Sequence, residues 1–426
     1  MSMIEISQKD IDTLLSNIDD VATCRALIFS ISLKEFEKQK IFFQDNDKEL
    51  YTKGIENHIA KISKHRYLKL GENEYLFVVI QNDSLLDDIE KRILGELYSS
   101  IQIGDYVISI PYSIGSSKFP DDSESFLDCI AFARVSKLYH AEHSLKYYSK
   151  YNKKNYEDAW EEFMIKNTLL LAIEEDELDL VYQPVFSSDK REVLYFEALL
   201  RWKKHGKHIS PQKIVLISEQ TEIIHVLTEY VTEKACFFQH TLKQKYGRVF
   251  PISVNISQSA LANPKLPWKL SQLLQTYNLD FSDIKLEITE TTSSKQYSSI
   301  NKKKVTPEDI SQDLISRGFS LYADDFGVGF SNLEFLSKHH FSGIKLDKYF
   351  IDSITTSHSS YFLTLIKTIL DFATNNNQQI ICEGVETQRQ LELLKELGFN
   401  FYVQGYLFSK PVSEDEIEKK YYQNVN

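Results

Sequence analysis

Between Leu180 and Val403 the sequence repeats one rhythm, a short apolar run followed by a stretch of helical periodicity. The runs are Leu180–Gln183, Val193–Leu200, Phe250–Ile256, Ile284–Ile288, Phe319–Ala323, Gly343–Leu346, Gln379–Cys382 and Phe401–Val403. Short apolar runs alternating with amphipathic helices predict strands of a parallel sheet covered on both faces. Eight of them, spread over about 245 residues, match a (β/α)8 barrel in size and order. An open doubly wound sheet is the competing α/β architecture, but it predicts a Gly-rich phosphate turn after an early strand. No such turn is present.

The residues at the ends of these runs narrow the chemistry. Glu197 ends VLYFE, Asn255 ends ISVN and Glu287 lies in IKLEITE. Asp324 and Asp325 follow LYA, Lys345 lies in GIKLD, Glu383 follows IIC and Gln404 follows YV. One carboxylate at a strand end would be a helix cap or an ion pair. Successive ends that each carry an acid, amide or amine converge on one face of a barrel, where barrel active sites are built. Five carboxylates there repel one another and resist ionisation unless cations share the site. Glu197, Asn255, Glu287, Asp324, Asp325 and Glu383 offer only oxygen, which suits Mg2+, Mn2+ or Ca2+ rather than a thiolate zinc site. The adjacent Asp324 and Asp325 are suited to straddle two ions, a centre that activates water for in-line displacement at phosphorus. Lys345 would then orient the nucleophile or neutralise charge on phosphorus.

YQPV (182–185), EALLRW (197–202), SVNIS (253–257), LEITE (286–290), DDFGVGFSNL (324–333), IKLD (344–347), EGVET (383–387) and QGYLFSKP (404–411) together resemble the EAL-domain phosphodiesterases of cyclic di-GMP. The resemblance runs from about Leu178 to Val412 in unbroken motif order. It implies a modified TIM barrel that linearises cyclic di-GMP to pGpG with two Mg2+ or Mn2+ ions. By motif position it assigns Glu197, Asn255, Glu287 and Asp324 to one metal, and Asp325 and Glu383 to the second, with Asp324 shared. Lys345 matches the lysine that contacts the attacking water; Glu197, Lys345 and Glu383 form the expected catalytic set. Gln183, Arg201 and Gln404 match substrate-side positions, where the planar fork of Arg201 suits a phosphate; a structural salt bridge is the alternative for Arg201. Glu290 matches the glutamate that anchors the DDFG loop. The family also implies a homodimer through the barrel. Val328 stands where Thr is common, Tyr195 where Gly is common, and the polar stretch Thr291–Lys304 is longer than usual. None of these removes a ligand.

Residues 25–150 mix strand-like runs (Ala26–Ser32, Tyr75–Ile80, Tyr106–Ser113) with helical stretches (Asp47–Ile62, Asp83–Ser99, Ser123–Ala141), which predicts an α/β sandwich. KLGENEYLFVVI (69–80) and IPYSIGSSKFPDD (110–122) resemble, more weakly, a GGDEF diguanylate-cyclase domain. Its chemistry looks dismantled: the metal-binding acids are replaced by Ser32-Leu33-Lys34, the second signature glycine is Glu72, and Ile62–His65 carries no inhibitory RxxD motif. No cyclase activity is expected, and GTP binding as a regulator is left open beside a packing role. A polar helical extension (1–24) precedes this domain. A connecting helix (151–177), with Trp160, Phe163, Met164, Leu170 and Leu171 near helical spacing, leads to the barrel (178–420).

Composition sets the outer limits. With 49 Lys+Arg against 61 Asp+Glu the net charge is -12, which speaks against binding long nucleic acid. The four cysteines (Cys24, Cys129, Cys236, Cys382) show no paired or zinc spacing and read as core thiols in a reducing compartment. The start, MSMIEISQKDIDTLL, lacks the marks of a signal peptide, and no apolar run is long enough to span a bilayer, so a cytoplasmic protein is expected. Seven of the 14 glycines (Gly318, Gly327, Gly329, Gly343, Gly384, Gly398, Gly405) fall in 318–405, several beside the acidic strand ends. The competing functional class is a non-catalytic receptor for cyclic di-GMP, or a protein-interaction module, built on the same barrel.

Overall fold

The computed structural model describes residues 10, 14, 24–33, 45–64, 66–71, 73–81, 86–103, 106–143, 148–189, 192–204, 206–289, 305–327, 335–336 and 339–423. Most of the 1–24 extension, all of Glu290 to Lys304, Val328, Gly329, Lys34 and Glu72 lie outside the described residues. The chain forms two compact units, Met1–Phe163 and Met164–Asn426. The division falls inside the helix Lys153–Glu174.

The first unit holds strands β1 (Arg25–Leu33), β2 (Tyr67–Lys69), β3 (Glu74–Gln81), β4 (Ile101–Ile103), β5 (Tyr106–Ile108), β6 (Tyr112–Phe119) and β7 (Tyr148–Lys150). Five of them make one sheet in the order β2-β3-β1-β6-β7, and β4 pairs with β5 apart from it. Central β1 is apolar on both faces because both are covered. Leu27, Phe29, Ile31 and Leu33 pack with Tyr51, Ile55 and Ile93 of the helices Asp45–Ile62 and Leu86–Leu97. Ala26 and Ile28 pack with Cys129, Ile130 and Ala133 of the helix Phe126–His143. The single strand expected over Tyr106–Ser113 is two: β5 belongs to the small hairpin, and the main-sheet strand begins at Tyr112. The exposed Tyr106 and Val107 explain the break, since that stretch lies outside the main core.

The second unit is an eight-stranded barrel of TIM type built from β8 (Leu178–Ser187), β9 (Val193–Lys204), β11 (Ile252–Ile256), β12 (Ile284–Thr289), β13 (Ser320–Phe326), β14 (Gly343–Leu346), β15 (Gln379–Cys382) and β16 (Tyr402–Val403). β10 (Lys207–Ile209) extends β9 as a hairpin. The ring closes where β8 pairs with both β16 and β9. Strict strand–helix alternation fails at one place: β8 runs antiparallel to both neighbours. Only residues 188–192 separate β8 from β9, whereas a parallel crossover needs a dozen or more. From β9 to β16 the ring is parallel.

Alternation along each strand sorts the barrel's side chains. Phe196, Val254, Leu286, Leu321, Ile344, Ile380 and Val403 face outward into the large core shared with the surrounding helices. Val185, Tyr195, Tyr322 and Ile381 form a separate small cluster in the interior. Among the described residues, no helix is long and apolar enough to cross a membrane.

Candidate active site

The same period of two carries polar residues into the interior one layer above that cluster. Tyr195 is followed two residues later by Glu197, Lys285 by Glu287, Tyr322 by Asp324, Gly343 by Lys345, Ile381 by Glu383 and Tyr402 by Gln404. On reversed β8, Gln183 pairs in register with Glu197, and Asn255 of β11 pairs with Glu287. The structure thus brings together Gln183, Glu197, Asn255, Glu287, Asp324, Lys345, Glu383 and Gln404, one from each strand or the residue after it.

Lys345 is the hub. Its Nζ lies 2.7 Å from Glu287 Oε2, 2.7 Å from Glu383 Oε1, 2.9 Å from Asp324 Oδ1 and 3.2 Å from Glu197 Oε2. An ammonium has three hydrogens to give, so four carboxylates cannot all be hydrogen-bonded by it. Asp324 Oδ1 is buried and, although close to Nζ, lies outside hydrogen-bond geometry. Glu197 is held further by Asn255 Nδ2 (to Oε1, 3.0 Å) and Gln404 Nε2 (to Oε2, 2.7 Å). Gln404 Nε2 also reaches Gln183 Oε1 at 3.3 Å, and Gln183 Nε2 donates to the Ser409 carbonyl at 3.1 Å. With its nitrogen donated to Glu197, the amide oxygen of Asn255 is the atom it would offer to a cation.

Asp325 joins the set through a break in alternation. Between Ala323 and Phe326, β13 has one residue more than β14 opposite it, and Asp325 takes a left-handed backbone (φ 53°). A bulge of this kind re-aims a side chain, and here it turns two consecutive carboxylates to the same mouth. Asp is among the few residues that tolerate the left-handed region.

These groups feel one another strongly. Burial pushes the Glu287 carboxyl up to about 8, with the charge of Glu197 adding to it. Burial and neighbouring Asp324 push Asp325 up to about 7. Burial also raises Asp324, and Glu383 well above the carboxylate range, against the pull of Lys345. Glu197 alone ends lower: burial raises it, but Lys345, Gln404 and Asn255 together outweigh that. Burial disfavours the charge on Lys345, yet Asp324, Glu197, Glu287 and Glu383 hold it protonated well above its ordinary range.

The arrangement fits cations. Four carboxylates crowd one ammonium, and Asp325 lies beside them at the same mouth, so the acids outnumber the cation that meets them. Glu197, Glu287 and Asp324 offer oxygens within 4.8 Å of one another, and so do Asp324, Asp325 and Glu383. The two triads share Asp324, as a pair of neighbouring ions requires. All donors are hard oxygens, the preference of Mg2+ and Mn2+.

A cavity of about 320 Å3 opens above the layer, within the size range of ligand pockets. Its wall includes Glu197, Asp325, Lys345 and Glu383 together with Lys348 and Tyr406, which sequence reading did not single out. Tyr406 lies in the turn that follows β16, inside the QGYLFSKP motif, and its nearness to Gln404 was the only signal for it. Lys348 is placed by Gly384: with φ 67°, a Cβ there would meet Lys348 Cγ at 2.4 Å, so the stem lies across the glycine. Arg201 is half-buried; its Nη1 donates to the Leu200 carbonyl at 2.8 Å, and it makes no ion pair among the described residues. A structural salt bridge therefore does not occupy it. Glu290 lies outside the described residues.

Comparison with known proteins places this geometry in a family context. The EAL domain family model matches residues 166–411. The oxygen sensor protein DosP of Escherichia coli is 28% identical over 84% of this chain and 44% of its own length. The bifunctional diguanylate cyclase/cyclic di-GMP phosphodiesterase MucR of Pseudomonas aeruginosa is 27% identical over 82% of this chain and 50% of its own. The chain thus spans about half the length of these curated relatives. The solved structure of the PaMucR phosphodiesterase in complex with c-di-GMP is similar with TM-score 0.52 and 29% identity, covering 60% of this chain and 99% of that one.

Proposed function

We propose, on the premise that the chain belongs to the EAL-domain family, that it hydrolyses cyclic di-GMP to linear pGpG with two Mg2+ or Mn2+ ions. The observation that carries this is the interior layer in which two carboxylate triads share Asp324 around Lys345. Glu197, Asn255, Glu287 and Asp324 would hold one ion, and Asp324, Asp325 and Glu383 the other. When bound, such ions lower the pKa of a coordinated water and offset negative charge at phosphorus. Lys345, with a cationic charge maintained by its neighbours, holds the attacking water and stabilises charge developing on the phosphate. Arg201 presents its fork to a phosphate oxygen, and Gln183 and Gln404, bonded to each other, orient the substrate beside Glu197. The water oxygen bonds to phosphorus as the bond to the ribose 3′ oxygen breaks, and a proton passes to that oxygen, leaving a 5′-phosphate.

The first unit, in this proposal, is a degenerate GGDEF-like domain without cyclase activity. Support comes from the MucR match, which at 82% of the chain reaches beyond residues 166–411. Glu74, at the signature turn, is engaged by Lys137 Nζ at 2.8 Å and Arg134 Nε at 3.3 Å rather than free for a metal. Heat of GTP binding, absent at millimolar nucleotide, would leave this unit a packing role only. The four cysteines are buried and share no disulfide among the described residues, which agrees with a reducing compartment.

The test is chromatographic detection of pGpG from cyclic di-GMP with Mg2+ or Mn2+, beside Glu197→Ala. Turnover in the wild type and its loss in the variant is the expected result. Binding of cyclic di-GMP without turnover under both metals would make the barrel a receptor.

A further inference from the structure

The layer beneath the carboxylates is not inert filling. Tyr195 is fully buried, and its hydroxyl donates to Glu287 Oε1 at 3.2 Å. Glu287 is itself fully buried, and its other oxygen, Oε2, accepts from Lys345 at 2.7 Å. A carboxylate gripped on one oxygen alone can rotate about its last torsion; gripped on both, it has one orientation. The ring of Tyr195 is itself fixed. It packs 5.9 Å from the Tyr322 ring, in a cluster with Val185 and Ile381, and Lys285 Nζ lies 5.5 Å over its face. Tyr322 owes its place to Gly343, where a Cβ would meet Tyr322 Cε1 at 2.5 Å. The Tyr322 hydroxyl points away from the carboxylates, taking Lys285 Nζ at 2.8 Å and giving to Gln379 Oε1 at 2.6 Å. Two tyrosines thus share one layer, and of the two only Tyr195 touches a residue of the acidic set.

We infer that Tyr195 is a positioning residue, which orients Glu287 from below and so preorganises the Glu197–Glu287–Asp324 triad for a divalent cation. The inference rests on the proposed reading of that triad as a metal site. Hydrogen bonds to a ligating group from its outer partners fix its orientation and are worth about 10- to 100-fold in metal affinity.

The experiment is calorimetric titration of Mn2+ into the full chain, comparing wild type, Tyr195→Phe and Tyr322→Phe. Phe keeps the ring and removes only the hydroxyl, and thermal unfolding of each metal-free variant reports whether packing survives. The expected result is about 10-fold weaker Mn2+ binding in Tyr195→Phe, wild-type affinity in Tyr322→Phe, and a turnover loss in Tyr195→Phe that excess Mn2+ restores. Wild-type affinity in Tyr195→Phe would overturn the inference and leave the proposed function standing. Equal weakening in both variants would also overturn it, since packing alone would then explain the loss. A wild type that binds no Mn2+ would overturn the metal site itself, and this inference with it.

Discussion

Two buried lysines set the two units of the chain apart. Lys137, in the first unit, meets one carboxylate, Glu74, and burial wins: its ammonium is easier to deprotonate than usual despite that partner. Lys345, in the barrel, is buried more deeply yet held protonated, because four carboxylates crowd it. The first unit settles its buried charges locally. Glu74 takes Arg134 and Lys137, and Glu90 takes Ser116, Tyr148 and Lys150. The barrel does not; its acids exceed its cations. Buried charge that balances is architecture, and buried charge in surplus marks a place for something the chain does not supply.

That contrast can be broken in several ways. The largest effect is expected at the hub: Lys345→Ala should lower cyclic di-GMP turnover about a thousandfold or more, read as initial rates with Mn2+, because charge stabilisation and water orientation are lost together. Next is the first unit, where Glu74→Ala strands two buried cations. Denaturant unfolding should show a loss of about 3 kcal/mol. A smaller effect of opposite sign is expected in the barrel. Asp325→Asn removes one surplus charge and suits the left-handed backbone, so the metal-free protein at pH 8 should gain roughly 1 kcal/mol while losing activity. Destabilisation by this substitution would mean that the surplus is illusory.

The smallest effect is a pH slope. Asp325 and Glu287 titrate at about 7 and about 8 in the folded chain, against ordinary values of 3.8 and 4.5. Between those values the folded state holds protons that the unfolded state has released, so stability contributed by these groups is full below the ordinary values, falls as pH rises from there, and is lost once pH passes through about 7 and about 8. Metal-free unfolding midpoints should fall across that window, and saturating Mn2+ should flatten the slope as ions take the place of protons.

Much of the barrel and its polar layer was legible before the structure, for a physical reason. Strands buried on both faces show as unbroken apolar runs, and an acid at the end of such a run has no apolar explanation. The reversed β8 was legible only in the short, polar link at 188–192, which admits no crossover. The bulge at Asp324–Asp325 was not legible, because adjacency alone does not say that both side chains face one way. Tyr195 showed as a departure beside Glu197, but its partner Glu287 lies on another strand, and cross-strand hydrogen bonds leave no mark in one sequence. Lys348 hid in a helix start, where a lysine is unremarked until the glycine beneath it is seen. In the first unit, Tyr106–Ser113 read as one strand because Tyr106, Val107, Ile108, Ile110 and Tyr112 are strand formers, although the first three of its residues serve a separate hairpin.

The proposed role of the surplus carboxylates is that of a two-cation site for hydrolysing cyclic di-GMP. It is tested most directly by incubating the protein with cyclic di-GMP and Mn2+ in oxygen-18 water and weighing the product. The expected product is pGpG with one heavy oxygen in its 5′-phosphate, and no pGpG forms after chelation. Cyclic di-GMP recovered intact with either Mn2+ or Mg2+, while still bound by the protein, would contradict it.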